Sequence, residues 1–204
     1  MRLIGMPDSP FVRRVAISLH RLAMPFEHEK LSVFRDYDRF RVVNPSVKAP
    51  TLVLEDGTVL FESGLILDYL ERIAPAGRSL MPANPALLPK ALRSIALGLA
   101  VCEKSVQISY ETNLRPAEKR HEPWLDRLRQ QLDSSLAMLE QTMSDAEPWL
   151  FGQTQLQPDI TLAVAWWFAN HVAPDSADPA RFPALAAHSA RAEATEAFRL
   201  VPPA

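Results

Sequence analysis

A single cysteine, Cys102, stands in the 204-residue chain, which excludes an internal disulfide framework and a cysteine-rich metal site. The histidines His20, His28, His121, His171 and His188 show no metal-ligand spacing with one another or with Cys102, so no metal site is expected. No uninterrupted apolar run approaches the roughly 20 residues that cross a bilayer. The N-terminus, Met1-Arg2-Leu3-Ile4-Gly5, lacks the long apolar segment of a signal peptide. The expectation is a cytoplasmic protein with no membrane partner. Nor is one sign of charge in excess: 22 Lys and Arg against 24 Asp and Glu leave a formal net charge of −2, with no electrostatic draw toward nucleic acid. Glycine is scarce, at 6 residues. The chain shows no phosphate loop, no Ser-His-Asp arrangement, no internal repeat and no low-complexity segment.

What is present is ordinary in bulk and informative in order. Hydrophobic residues make up 48% and charged residues 23%, as in soluble globular proteins, and the length suffices for one large domain or two small ones. Proline is abundant, at 18 residues, and several cluster at Pro75, Pro82, Pro85 and Pro89 beside Gly77 and Asn84. That cluster reads as a linker over 76–89, separating a domain over 1–75 from one over 90–204.

Before the linker, short strands and helices alternate. Arg2–Met6 is strand-like. Phe11, Val15, Leu19 and Leu22 then recur at helical spacing, with Arg13, Arg14 and Arg21 turned away from that stripe. Phe26–Leu31 alternates as a strand does. Arg35–Val43 is a weaker helix, stopped at Asn44-Pro45 because the residue before proline is pushed out of the α region. Thr51–Leu54 and Thr58–Phe61 flank Glu55-Asp56-Gly57, a hairpin signal. Ser63–Ile73 follows as a helix that buries Ile66, Leu70 and Ile73. This order, βαβ, α, β-hairpin, α, is that of a thioredoxin-like α/β domain. After the linker every periodic segment is helical: Leu92, Ile95, Leu99, Cys102 and Val106 form one stripe, and Leu125, Leu128, Leu132, Leu136, Leu139 and Met143 another. Ile160–Ala169 is apolar nearly all round, the mark of a helix inside a bundle, and Pro183–Arg191 is a shorter helix. The expected fold is an α/β domain followed by an all-α bundle.

Three short motifs sit where strands meet helices. Ser9-Pro10 ends the first strand and opens the first helix, where backbone N–H groups and the helix dipole favour negative charge. It also reads as an N-cap and N1 pair with no further role. Lys48-Ala49-Pro50 leads into the third strand. There Pro50 reads as a strand-opening proline, and Lys48 as a solvated lysine. Glu62-Ser63 ends the hairpin and opens another helix, with Ser63 as its N-cap. Their order and spacing, on a chain of two textures, resemble those of a cytosolic glutathione S-transferase, and the Ser9-Pro10-Phe11-Val12-Arg13 start is similar to that of the tau and zeta classes.

The resemblance implies a role for each motif. The Ser9 hydroxyl would stabilise the glutathione thiolate. Ala49 would pair its backbone with the cysteinyl unit of glutathione as an added strand does, across a cis Ala49–Pro50 bond. Lys48 would meet the glycyl carboxylate, Ser63 and the helix amides the γ-glutamyl carboxylate, and Glu62 the γ-glutamyl amine. The helical domain would supply the pocket for an electrophilic small molecule, from the helix carrying Tyr110 and Glu111, with Phe11, Phe34 and Tyr110 as candidate walls. Asp159 matches a helix-start acid with a folding role, although Leu156 stands where a hydroxyl usually completes that cap. The implied activity is transfer of glutathione to an electrophile, a detoxification chemistry, by a homodimer, with peroxide reduction as a side activity. A glutaredoxin-like thiol transfer would need a cysteine at position 9. The alternative of another kind is a regulatory or partner-binding module on the same fold, since fold alone does not fix function.

Overall fold

The computed structural model describes residues 1–143 and 148–203. The chain divides into two compact units, Met1–Ala83 with Thr195–Ala204, and Asn84–Ala194.

The first unit is built on a four-stranded sheet. Strand β1 (Arg2–Ile4) leads to helix α1 (Pro10–Arg21), then β2 (Glu27–Glu29), α2 (Tyr37–Val43), β3 (Thr51–Val53), β4 (Val59–Phe61) and α3 (Ser63–Arg72). Each strand is shorter than the alternation suggested. The sheet order is β2-β1-β3-β4. β1 runs parallel to β2 with Leu3 opposite His28 and antiparallel to β3 with Leu3 opposite Leu52. β3 and β4 form the hairpin expected from Asp56-Gly57, with Leu52 opposite Leu60.

Successive strand residues point to opposite faces. Ile4 faces α2 and packs with Phe40 and Leu31, flanked by Val33, Val43, Val47, Ala49 and Val53. Leu3 and Leu52 are fully buried on the other side. α1 and α3 pack on one another, and Ile66 and Leu70 of α3 are fully buried, whereas Ile73 is exposed beyond the helix end.

A fourth helix completes this unit. The C-terminal stretch, expected in the helical domain, belongs with the first unit: α8 (Glu196–Arg199) packs against α1, with Phe198 fully buried. Two arginines turned away from the apolar stripe of α1 are buried as well. Arg13 and Arg14 are each 1% exposed, because α1 is covered on more than one face. Arg13 donates from Nε to the Val201 carbonyl at 3.0 Å, and its guanidinium lies over the Phe198 ring.

The second unit is a bundle of α4 (Leu88–Asn113), α5 (Glu122–Met143), α6 (Gln157–Val172) and α7 (Pro183–Glu193). The expected stripe of α5 is buried throughout, and α6 is buried over most of its length. On α4 the expected stripe is wrong in part. Leu92 is exposed, and the buried face runs through Ala91, Ser94, Gly98, Val101, Cys102, Ser105 and Ile108. Small residues win that face because α6 approaches closely: a Cβ on Gly98 would lie 3.0 Å from Thr161 Cγ2 and 3.3 Å from Leu162 Cδ1. Within Pro85–Asn113 an 18-residue stretch reaches mean hydropathy 1.4, so by length and composition this segment could cross a membrane. Uninterrupted runs did not reveal this property. The helix packs along α5 and α6, as the core helix of a bundle does.

At the start of α6, Asp159 accepts hydrogen bonds from the backbone N–H of Leu156 at 2.8 Å and of Leu150 at 2.9 Å. The acid therefore caps the helix and pins the preceding loop without help from the side chain of residue 156. His188 of α7 lies against it, with Nε2 hydrogen-bonded to the Asp159 carbonyl oxygen at 3.3 Å. Burial pushes the Asp159 carboxyl up to about 6 and the His188 imidazole down to about 4.

Candidate functional site

The site begins at the end of β1. Gly5 has φ +140°, and a Cβ there would lie 2.6 Å from Val12 Cγ2 and 3.1 Å from Ala49 Cβ. Only glycine fits this close approach. It brings the turn before α1 against both α1 and the Lys48-Ala49-Pro50 segment. The turn is tied down by the Gly5 N–H donating to the Glu29 carbonyl at 3.1 Å and by His28 Nε2 bonded to the Gly5 carbonyl at 3.0 Å.

Ser9 follows as the N-cap residue of α1, in extended conformation with φ −70° and ψ 123°. Its carbonyl accepts the Arg13 N–H at 2.9 Å, but its side chain makes no capping hydrogen bond. The cap is therefore made by the backbone alone. The hydroxyl stands, half-buried, where helix amides and dipole favour an anion.

The Ala49–Pro50 bond is cis, as the resemblance implied. The loop before it is held by residues that the sequence reading missed. Asn44, at the end of α2, donates from Nδ2 to Thr51 Oγ1 at 2.9 Å and accepts the Ser46 N–H at 3.0 Å. Thr51 in turn donates its hydroxyl to the Lys48 carbonyl at 2.7 Å. Both side chains are buried. Within this bracket Val47 adopts φ +46°, a rare conformation for a β-branched residue. The sequence signal was available in Asn44-Pro45, which reads as a helix stop. The second role of the Asn side chain depends on Thr51, which is brought in by the fold.

Glu62 follows β4 at φ +71° and is itself the N-cap residue of α3, so Ser63, expected as the cap, is the first helical residue. A non-glycine residue here stores strain of about 1–3 kcal/mol, a cost that clusters at functional sites. The Glu62 carboxylate forms an ion pair with the Lys48 ammonium. Ser63 is buried, and its Oγ accepts a hydrogen bond from Arg14 NH1 at 3.0 Å. The first unit thus gathers Lys48, Ala49, Glu62 and Ser63 at adjoining turns, with Arg14 linking the Ser63 turn to α1.

The helical unit has an open hollow of about 410 Å³, lined among others by Gln107, Tyr110, Leu114 and Trp124. Glu111 beside it is held by Arg115 Nε at 2.8 Å and by the His121 N–H at 3.1 Å. Arg115 keeps its carboxyl below the usual range. Of the three aromatic wall candidates, Tyr110 lines this hollow, Phe34 is exposed in the first unit, and Phe11 is half-buried there. Among the described residues, no group of three or more His, Cys, Asp and Glu side chains could hold a metal ion.

Comparison with known proteins places these features in context. The family described as glutathione S-transferase, N-terminal domain, matches residues 3–79, and that described as glutathione S-transferase, C-terminal domain, matches residues 122–191. The chain is 31% identical to the uncharacterized GST-like protein YibF of Escherichia coli over 147 residues, covering 71% of each. It is 27% identical to the probable glutathione S-transferase GSTU6 of Oryza sativa, over 100% of this chain and 88% of the relative. Among solved structures, a glutathione S-transferase of Methylobacterium radiotolerans in complex with glutathione sulfonate superimposes with a TM-score of 0.91 at 31% identity, over 100% of this chain and 95% of that one. A glutathione transferase family member of Pseudomonas fluorescens with bound glutathione gives a TM-score of 0.86 at 28% identity, over 100% and 98%.

Proposed function

The chain belongs to the glutathione S-transferase family, and on that premise we propose that it is a glutathione transferase in which Ser9 sets up the thiolate. Glutathione lies along the first unit. Its cysteinyl backbone pairs with Ala49, its glycyl carboxylate meets Lys48, and its γ-glutamyl group meets Glu62, Ser63 and the first amides of α3. The observation that carries this reading is the Ser9 side chain, which stands at the start of α1 without capping it.

The chemistry needs only modest help. A free thiol has a pKa of about 8.5, and lowering it by about two units requires about 2.7 kcal/mol. One hydrogen bond donated to the sulfur contributes about 1.5–3 kcal/mol, and the helix N-terminus adds about 0.3–1 kcal/mol. The thiol proton leaves to solvent. The sulfur lone pair then forms a C–S bond with the electrophilic carbon, displacing a leaving group or adding to an activated double bond. Tyr110, Leu114 and Trp124 offer the electrophile apolar walls in the helical unit. The regulatory-module alternative requires no such hydroxyl and is not favoured.

A homodimer is part of the proposal. Leu65 beside the γ-glutamyl turn and Leu92 on α4 are both exposed large apolar residues, and burying such surface is the usual reason for a stable pair. The Ser9-Pro10-Phe11-Val12-Arg13 motif supports a tau-like assignment. Conjugation in the cytoplasm as a detoxification step completes the reading. It is tested by retention on immobilised glutathione followed by a panel of aryl halide, enone and hydroperoxide substrates. Retention with turnover of at least one electrophile supports it, whereas passage through the column without turnover contradicts it.

A further inference from the structure

We propose that Arg14 is a positioning residue for glutathione: it holds the Ser63 hydroxyl so that its hydrogen is directed at the γ-glutamyl carboxylate. The inference rests on the reading of this site as a glutathione site.

A serine hydroxyl has one hydrogen to donate and two lone pairs to accept with. In this chain one lone pair is taken by Arg14 NH1, at 3.0 Å and away from solvent. A guanidinium is donor-only and permanently charged, so Ser63 cannot reverse the direction of that bond. The hydroxyl hydrogen is thereby left for a different acceptor. At the first position of α3 the natural acceptor is an anion drawn to the helix N-terminus. A serine without this partner would rotate among alternatives, including bonding to water. Arg14 thus selects the donor orientation before the ligand arrives, and polarises the O–H that it selects.

Burial makes the arrangement informative. A guanidinium that is 1% exposed is costly to hold in a protein interior unless its hydrogen bonds are well placed. Here one of them is placed on the hydroxyl of Ser63, at the first position of α3. Its position on α1 is controlled as well. The neighbouring Arg13 fixes the rotation of the helix through the Val201 carbonyl and the Phe198 ring, and Ser18 donates to the Arg14 carbonyl at 2.7 Å. Five residues of α-helix, about 7.5 Å of rise, separate Arg14 from Ser9. One rigid helix therefore presents its N-terminus to the thiol and its second-turn cation to the γ-glutamyl turn. The spacing between the two ends of the ligand is built into α1.

The test compares glutathione with an analogue that lacks the γ-glutamyl carboxylate, 4-aminobutyryl-cysteinyl-glycine. Calorimetric titration is run on wild type, Arg14→Met, Ser63→Ala and the double variant, with melting curves to establish folding. Wild type should prefer glutathione by about tenfold or more, the worth of a hydrogen bond to a charged group. That preference should fall several-fold in each single variant, to the part contributed by the α3 amides, and no further in the double variant. A merely structural Arg14 would weaken both ligands alike and leave the preference intact. If Arg14→Met does not fold, Arg14→Gln places at this position an amide that can accept as well as donate, so it no longer fixes the direction of the bond and should lose that part of the preference. An unchanged preference in the folded Arg14 variant overturns the proposal. Failure of wild type to bind glutathione at all would instead overturn the reading of the site on which the proposal rests.

Discussion

The Lys48 ammonium and the Glu62 carboxylate pair with each other, joining the turn before β3 to the turn before α3. Their side chains are 58% and 47% exposed, so the pair itself contributes at most about 1 kcal/mol to stability. The proposed roles put them at opposite ends of a tripeptide whose extended length is about 10 Å. Those roles require the pair to open when glutathione binds, at that small cost. Lys48→Met is expected to leave the melting temperature nearly unchanged and to weaken glutathione binding by roughly tenfold, with a smaller dependence on ionic strength than wild type. Titrations at low and high salt check this, and an unaltered affinity would remove Lys48 from the site.

Glu62 sits at φ +71°, which a glycine would adopt without strain. Glu62→Gly is expected to keep or raise stability, by up to about 1 kcal/mol, while weakening glutathione binding. Urea denaturation beside calorimetry decides. Lower stability in this variant would show that Glu62 is kept for folding rather than for the ligand.

Ser63 and Glu62 are assigned to the γ-glutamyl end, remote from the sulfur. Interactions made equally in the ground and transition states change KM and leave kcat. Ser63→Ala and Glu62→Gln should each raise the KM for glutathione several-fold with little change in saturated rate. A large fall in kcat at unchanged KM would contradict the assignment.

The buried Asp159–His188 contact bears on stability against pH. His188 titrates near 4 in the folded protein and near 6.5 when unfolded. Its depressed value means that its stabilising contribution is complete above about 6.5 and lost as pH falls toward 4. Asp159, raised to about 6, acts in the opposite sense: it costs stability above about 6, and this cost is relieved as pH falls toward its unfolded value. The two slopes oppose one another, and Arg191 adds its charge to both groups. His188→Asn removes one slope, so the variant should lose stability relative to wild type at pH 7 and recover part of that deficit by pH 5. A deficit independent of pH would show that His188 is not neutral by burial.

Local pattern made much of this fold legible and left the cross-chain contacts hidden. The Asp56-Gly57 hairpin, the leucine stripe of α5 and the all-round apolar α6 were readable because each depends on residues within one segment. Arg13 and Arg14 read only as turned away from the apolar stripe, with no sign of their burial. Arg13 lies against Phe198 of α8 and the Val201 carbonyl, more than 180 residues away along the chain, and Arg14 against Ser63 of α3, and nothing within α1 announces either. The α4 stripe failed for a related reason: that helix is apolar on several faces, and the face that is buried was decided by how closely α6 approaches Gly98. Within the site, Ser9, Lys48, Ala49, Glu62 and Ser63 stood out at strand–helix junctions. Their supports, Arg14, Asn44 and Thr51, became visible only as hydrogen-bond partners.

The central claim is that the Ser9 hydroxyl stabilises the glutathione thiolate, and the most direct measurement is the ultraviolet absorbance of that thiolate in the glutathione complex as a function of pH, for wild type and Ser9→Ala. With a lost hydrogen bond to the charged sulfur worth about 1.5–3 kcal/mol, the titration of Ser9→Ala should move alkaline by about one to two pH units. Glutathione affinity should stay largely intact, and the rate near neutral pH should fall roughly ten- to hundredfold. Superimposable titrations for the two proteins would contradict the account and leave Ser9 as no more than the residue at which α1 begins.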